Sequence, residues 1–327
     1  MSTVFSVDKC PARYDSYEGL RDDRLRAKAK DELHEDDNVR EVSLAQMREF
    51  VAKHPRIVRC RTDAPFLLMF LRARKFNVVA AGRLLESTLT IITQYPQCYK
   101  VQDFDEFCDR CIGLGIVVPM GYSPEDHFLI VFQAAIVDSN SMTAAMIMKI
   151  LYLLCISHGH EDRFQIGGTE LVMDFRNISA SYLGLWSMTD INILMTMASD
   201  AMPNRLKKVH VVGLPSFATI LANTCMGMLS EKLKNRVSFH KSIDDLKAAI
   251  DESVLPDIYG GKQSLEEANE RFRQKVLEQR ERILKHAEMT IDLSIPNPNS
   301  KNPANAALQS SVVDESVIGS FRKLNVD

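Results

Sequence analysis

The segment "HGHED", with His158, His160, Glu161 and Asp162, is the one local cluster in this chain whose residue types could hold a metal. It stands alone in a polar connection, so a solvated loop is expected there. Cys108 and Cys111 form a C-x-x-C in "FCDRCIG", but zinc needs a second pair of ligands, and no further C-x-x-C or H-x3-H follows at a suitable distance. Packing at a helix end is the expectation for this pair. Gly113-Leu114-Gly115 lacks the third glycine and the helix of a dinucleotide loop, and no P-loop, nucleophile elbow or H-E-x-x-H occurs. No catalytic residue, metal or cofactor is expected, and the chain is read as a non-enzyme.

A different chemistry is written in the stretch from Leu214 to Arg236, "LPSFATILANTCMGMLSEKLKNR". No Asp, Glu, Lys, Arg or His occurs from Val211 to Ser230, and Lys232, Lys234 and Arg236 follow at once. On a helix beginning near Pro215, residues Phe217, Ile220, Leu221, Thr224, Cys225 and Met228 recur at three- and four-residue steps and make an apolar face. Periodicity alone favours a core helix. A membrane span is excluded: only 12 of the 20 residues are clearly apolar, and Pro215, Ser216, Asn223, Thr224 and two glycines interrupt them. Lys232 and Arg236 lie four apart on one helix face, while Arg205, Lys207 and Lys208 precede the strand leading into the apolar run. Basic groups bracketing an apolar helix are what docking on an anionic lipid surface requires.

The elements that position these residues follow from periodicity and punctuation. Hydrophobic residues at 46% and charged residues at 25% give an ordinary globular balance, and a net charge of −3 assigns any electrostatic role to local patches. Seven scattered cysteines fit reduced thiols, and the first twenty residues lack the pattern of a secretory signal, so a cytoplasmic protein is expected. Residues 1–42 read as a polar segment with a charged, solvated helix. A Ser43/Gln46 capping box opens the helical domain 43–100, in which Asp63 and Asn77 cap further helices and no strand is expected. In 101–265 strands alternate with helices, two of which, "MTAAMIMKILYLLCI" and "LWSMTDINILMTMAS", are Met-rich and almost uncharged; this predicts an α/β domain with a mostly parallel sheet. A charged helix over 266–288 and a disordered tail over 289–327, rich in Pro, Asn and Ser at its start, complete the chain.

Five strings in order, "FLLMFLRARKFNVVAAGRLL", "LVMDF", "MPNRLKKVHVVGLPSF", "LSEKLKNRV" and "LPDIYGG", resemble landmarks of the CRAL-TRIO (Sec14-like) lipid-transfer family over residues 43 to 265. The similarity runs in particular to the branch of α-tocopherol transfer and retinaldehyde-binding proteins. The resemblance implies a helical N-terminal domain beside an α/β domain whose sheet floors an apolar pocket closed by a helical gate. Residues from about Pro215 to Leu229 take the gate's place. It further implies a phosphoinositide site at Arg74, Arg205, Lys207, Lys232 and Arg236, all cationic in this chain. Implied pocket-lining residues are Met146, Ile150, Leu151, Leu154 and Cys155 on one helix. Met173, Leu194, Met197, Val209 and Val211 complete the lining from other elements. The pocket helix carries Leu151, Leu154 and Cys155 where the tocopherol branch offers hydroxyls, and Gly213-Leu214 stands before the gate proline where relatives often place a polar residue.

The resulting expectation is an intracellular carrier that encloses one tocopherol-, retinoid- or other lipid-like ligand. It exchanges that ligand at phosphoinositide-bearing membranes, associating transiently with their cytosolic face. Nucleic acid is not an expected partner. The second reading is a lipid-sensing adaptor without transfer activity, recruiting a partner through the charged helix near Glu266 to His286.

Overall fold

The computed structural model describes residues 5–297, so most of the expected tail lies outside the described residues. The N-terminal part carries α1 (Asp23–Leu33), α2 (Asp37–Lys53), β1 (Ile57–Arg59), α3 (Ala64–Ala73), α4 (Val78–Gln94), α5 (Pro96–Tyr99) and α6 (Phe104–Phe107). Asp63 and Asn77 cap α3 and α4 through Phe66 N and Ala80 N, as their sequence positions predict.

Three expectations fail here for identifiable reasons. Helix α1 is not a solvated helix: Leu25, Ala29 and Leu33, spaced at four, are buried against Ile166 and Phe76. Helix α2 begins at Asp37 instead of Ser43, because Asp36 accepts from Val39 N and makes the earlier cap; Ser43 is buried inside the helix. Strand β1 interrupts the helical run, because residues near the other end of the described chain return to pair with it.

The central sheet is built from β2 (Val117–Tyr122), β3 (Phe128–Gln133), β4 (Thr169–Asp174), β5 (Leu206–Val212) and β6 (Val237–His240), in that spatial order. Strands β2 and β3 pair antiparallel, and the other three pairings are parallel. Buried on both faces, "FLIVF" of β3 reads as an unbroken apolar run with no alternation. One face carries Ile130 and Phe132, Leu171 and Met173, Val209 and Val211 in register. Near it in sequence and packing are α7 (Ala144–His158), α8 (Asp162–Gly167), α9 (Ser181–Gly184) and α10 (Met188–Thr196).

Next come α11 (Thr219–Met228), α12 (Glu231–Lys234), α13 (Ile243–Lys247), α14 (Leu265–Glu278), α15 (Arg280–His286) and β7 (Thr290–Ile291). Leu246 of α13, Ala268 of α14 and the 250–259 connection join the core on the opposite sheet face, with Leu129, Val131, Val172 and Val212. The expected single charged helix is two helices that turn Phe272, Val276 and Ile283 into the larger core. Met289 and Ile291 are buried, and Ile291 pairs with Ile57, so order continues past the expected tail boundary at 288.

Candidate functional site

The apolar run leaves β5 through Gly213, whose φ of +69° is a left-handed conformation that a side chain would strain. A Cβ there would also lie 2.9 Å from the backbone N of Arg176. Pro215 and a 3-10 turn over Ser216–Ala218 then feed α11. No residue of α11 is buried, which overturns the core-helix expectation. Ile220 is 80% exposed, Phe217 41% and Met228 38%. The six residues read as one face divide: Phe217, Ile220 and Met228 point outward with Thr224 half-buried between them, while Leu221 and Cys225, one turn apart, are half-covered. Thr224 folds its hydroxyl back onto the Ile220 carbonyl at 2.9 Å, so its polarity is spent within the helix. Every side of the helix is uncharged, and its coverage comes from position alone.

The implied pocket residues are likewise divided by burial. Ile150 and Leu154 on α7 have no exposure and belong to the packed core, whereas Leu151 and Cys155, one turn apart on the same helix, keep free surface, as does Met146. Met197, Val209 and Val211 are buried, and Leu194 is half-buried. In the central strand β4, Val172 is fully buried on one face while Leu171 and Met173 on the other remain half-covered. Their neighbours in register are Ile130, Phe132, Val209 and Val211, all buried. Cys155 retains reachable surface, yet burial pushes its thiol up to about 12. Leu171 and Met173 on the middle strand, and Leu151 and Cys155 on α7, thus keep more free surface than their neighbours. Leu171 was missed in the sequence, although its two-residue step from Met173 in "LVMDF" carries the signal.

The cations gather at the starting ends of β5 and β6. Gly168, at φ +82°, lets the start of β4 approach the start of β5: a Cβ there would lie 2.3 Å from the Arg205 carbonyl oxygen. Arg205 and Lys207 both donate to Glu32 Oε2, at 2.7 and 2.8 Å, and Lys28 lies 2.9 Å from Glu32 Oε1. Burial works to raise the Glu32 carboxyl, but the hydrogen bonds from Lys207, Lys28 and Arg205 outweigh it and hold it far below the usual carboxylate range. Burial also draws the Lys207 ammonium down, with Glu32 opposing. The Arg236 guanidinium donates to the carbonyl of Leu206, the residue between Arg205 and Lys207. Lys232, one turn earlier, is exposed and has no ion-pair partner among the described residues.

Lys208 and Arg74 have other surroundings. Lys208, on the opposite face of β5 by strand alternation, lies 3.6 Å from Glu170, which also binds His210 at 2.7 Å. Arg74 ends α3 half-buried; burial lowers its pKa, with the charge of Asp200 opposing, and it shares no hydrogen bond with the other four among the described residues. Lys28 and Glu32 were missed. Their four-residue spacing reads as an ordinary helix pair, and only the fold brings residues some 175 positions away onto them.

The "HGHED" expectation is overturned as well. His158 is buried, donates from Nδ1 to the Leu154 carbonyl at 3.0 Å and stacks beside Phe128. Glu161 accepts from Tyr122 Oη and is paired with Lys275, while Asp162 takes Arg72 and Tyr17, each at 2.6 Å. These are structural ties. No grouping able to hold a metal occurs among the described residues. Cys108 and Cys111 are buried, and burial raises both thiols.

A mostly parallel sheet, half-covered apolar residues on β4 and α7, a surface apolar helix next in sequence and a cation cluster at the strand starts together define an α/β domain. The CRAL/TRIO domain profile matches residues 113–261. Clavesin-2 of Homo sapiens is 28% identical over 245 residues, spanning 72% of each chain. Clavesin-1 of Rattus norvegicus is 27% identical over 251 residues, 74% of this chain and 69% of its own. The crystal structure of Sfh5 covers 80% of this chain and 98% of its own at 10% identity and a TM-score of 0.44. Over residues 113–261 the chain is similar to the CRAL/TRIO domain.

Proposed function

We propose that this protein is a lipid carrier that encloses one small hydrophobic molecule between the β4 face and α7, and exchanges it at membranes bearing phosphoinositides. The CRAL/TRIO family is one of lipid-binding and lipid-transfer proteins, which supports the class. The observation that carries the reading is α11, an uncharged helix with no buried residue, next in sequence to the strand whose neighbours keep apolar surface free. Every 100 Å2 of apolar ligand surface removed from water favours capture by about 2.5 kcal/mol. Release follows when the outward stripe of Phe217, Ile220 and Met228 enters a lipid interface, the covering helix being more stable there than over the ligand. Each cation beside an anionic surface adds about 1 kcal/mol to that encounter. No helix among the described residues is long and apolar enough to cross a membrane.

Tocopherol- and retinoid-like molecules fit this class of ligand, as do other lipids with a single apolar body. The test is solvent extraction of the purified full chain followed by mass spectrometry, with uptake from liposomes as a second arm. A hydrophobic molecule in near-equimolar amount is expected. A chain that copurifies with none and takes up none sinks the carrier reading.

A further inference from the structure

Glu32 is surrounded by more positive charge than one carboxylate needs. Lys28, Arg205 and Lys207 converge on its two oxygens at 2.9, 2.7 and 2.8 Å, leaving a local excess of two positive charges before Arg236 is counted. The side chains of Lys28, Arg205 and Lys207 are 19%, 12% and 22% exposed, and that of Glu32 is 32% exposed. The cations are therefore held under cover while the carboxylate stands nearest the solvent. Three like charges packed this closely repel one another, and one carboxylate offsets only part of that repulsion. The body of α1 is anchored through Leu25, Ala29 and Leu33, so the Glu32 side chain can turn outward without the helix leaving.

We propose that Glu32 is a built-in stand-in for a phosphate group and that Lys28 is a further residue of the anion site. A ligand carrying clustered phosphate monoesters on a polyol ring displaces the carboxylate and takes Lys28, Arg205 and Lys207 in its place. The inference rests on the reading of these cations as a head-group site. A phosphate monoester brings a charge of about −1.5 to −2 and three acceptor oxygens, so two adjacent ones outbid a carboxylate. A singly charged head group only exchanges one negative charge for another and leaves Glu32 without partners. Glu32 thereby sets a charge threshold and turns a basic patch into a selective one.

The test compares the full chain with Glu32→Gln, Lys28→Gln and Arg205→Gln. Co-sedimentation uses phosphatidylcholine vesicles that hold either a phosphatidylinositol bisphosphate or phosphatidylserine at matched total charge, and thermal unfolding checks each fold. Glu32→Gln is expected to tighten binding to the bisphosphate vesicles by about fivefold, the effect of one charge at such a surface, and to gain binding to phosphatidylserine. Lys28→Gln is expected to weaken bisphosphate binding by a similar factor. If Glu32→Gln fails to fold, Glu32→Asp, which keeps the charge but withdraws it by one methylene, should loosen the selection in the same direction. Unchanged or weaker binding by folded Glu32→Gln, with Arg205→Gln impaired, overturns the stand-in role and leaves the head-group site intact. Absence of binding by every chain, to vesicles and to inositol hexakisphosphate alike, overturns both. Inositol hexakisphosphate separates the sources: tighter binding of it by Glu32→Gln, without vesicle binding by any chain, keeps the stand-in role for a soluble ligand and removes the membrane reading.

Discussion

His158 was read as part of a polar loop and is held in apolar surroundings by Phe128, Phe164 and Phe272. Burial, helped by the charge of Lys275, draws its pKa from 6.5 down to about 4. The folded chain therefore refuses a proton that the unfolded chain accepts between those values. Stability from this group is complete above about pH 6.5 and is lost as the pH falls toward 4; at pH 5 the loss is about 2 kcal/mol for one such imidazole. His160, drawn to about 4 mainly by burial, acts in the same direction. Urea unfolding at pH 7 and pH 5 should show this drop, and His158→Asn, which keeps a donor for the Leu154 carbonyl, should narrow it by about 1–2 kcal/mol. An unchanged difference would show that His158 is not a source of the acid sensitivity. The five letters "HGHED" carry no trace of this, because, Phe164 apart, the groups that bury or neutralise them stand between 30 and 145 positions away.

At the scale of elements, α11 separates composition from location. Its three- and four-residue apolar steps are legible, but an uncharged helix has no polar side to say which way it faces. Since Ile220 is so exposed, Ile220→Asp should change folding stability by no more than about 0.5 kcal/mol. The same change should reduce vesicle binding or ligand exchange about tenfold, since a buried isoleucine contributes about 1.5–3 kcal/mol at an apolar interface. Equal exchange by the variant, followed with a fluorescent lipid, would remove α11 from membrane contact. Caps were more readable than faces: Asp63 and Asn77 act where their positions predict, each through a backbone N–H three residues on. The Ser43 box lost to Asp36 because both caps suit the same helix, and the earlier one also brings Val39 and Arg40 into it.

Across the molecule, Arg72 joins parts that the sequence presents as separate. It forks onto Glu35 at 2.8 and 2.7 Å and binds Asp162 and Gln165 at 2.6 and 2.7 Å, tying the α1–α2 connection and α3 to α8 beside the sheet. Both Arg72 and Glu35 are buried. Arg72→Ala strands the Glu35 carboxylate and should cost about 3–5 kcal/mol in denaturant unfolding, whereas Arg74→Ala, half-exposed two residues on, should cost less than about 1 kcal/mol. Equal costs would mean that the buried fork is not a tie. The order of helices and strands, the α/β class, most caps and the family landmarks were all legible, because each depends on neighbours two to four residues apart. Tertiary structure alone decided that α11 lies outside the core, that Lys208 turns from Lys207 toward Glu170, and that β1 waits for Ile291. It alone set Glu32 among Arg205 and Lys207. These outcomes are contacts between segments distant in the chain, and the energy of burying or pairing a side chain is fixed by what the fold brings against it, which local spacing does not encode.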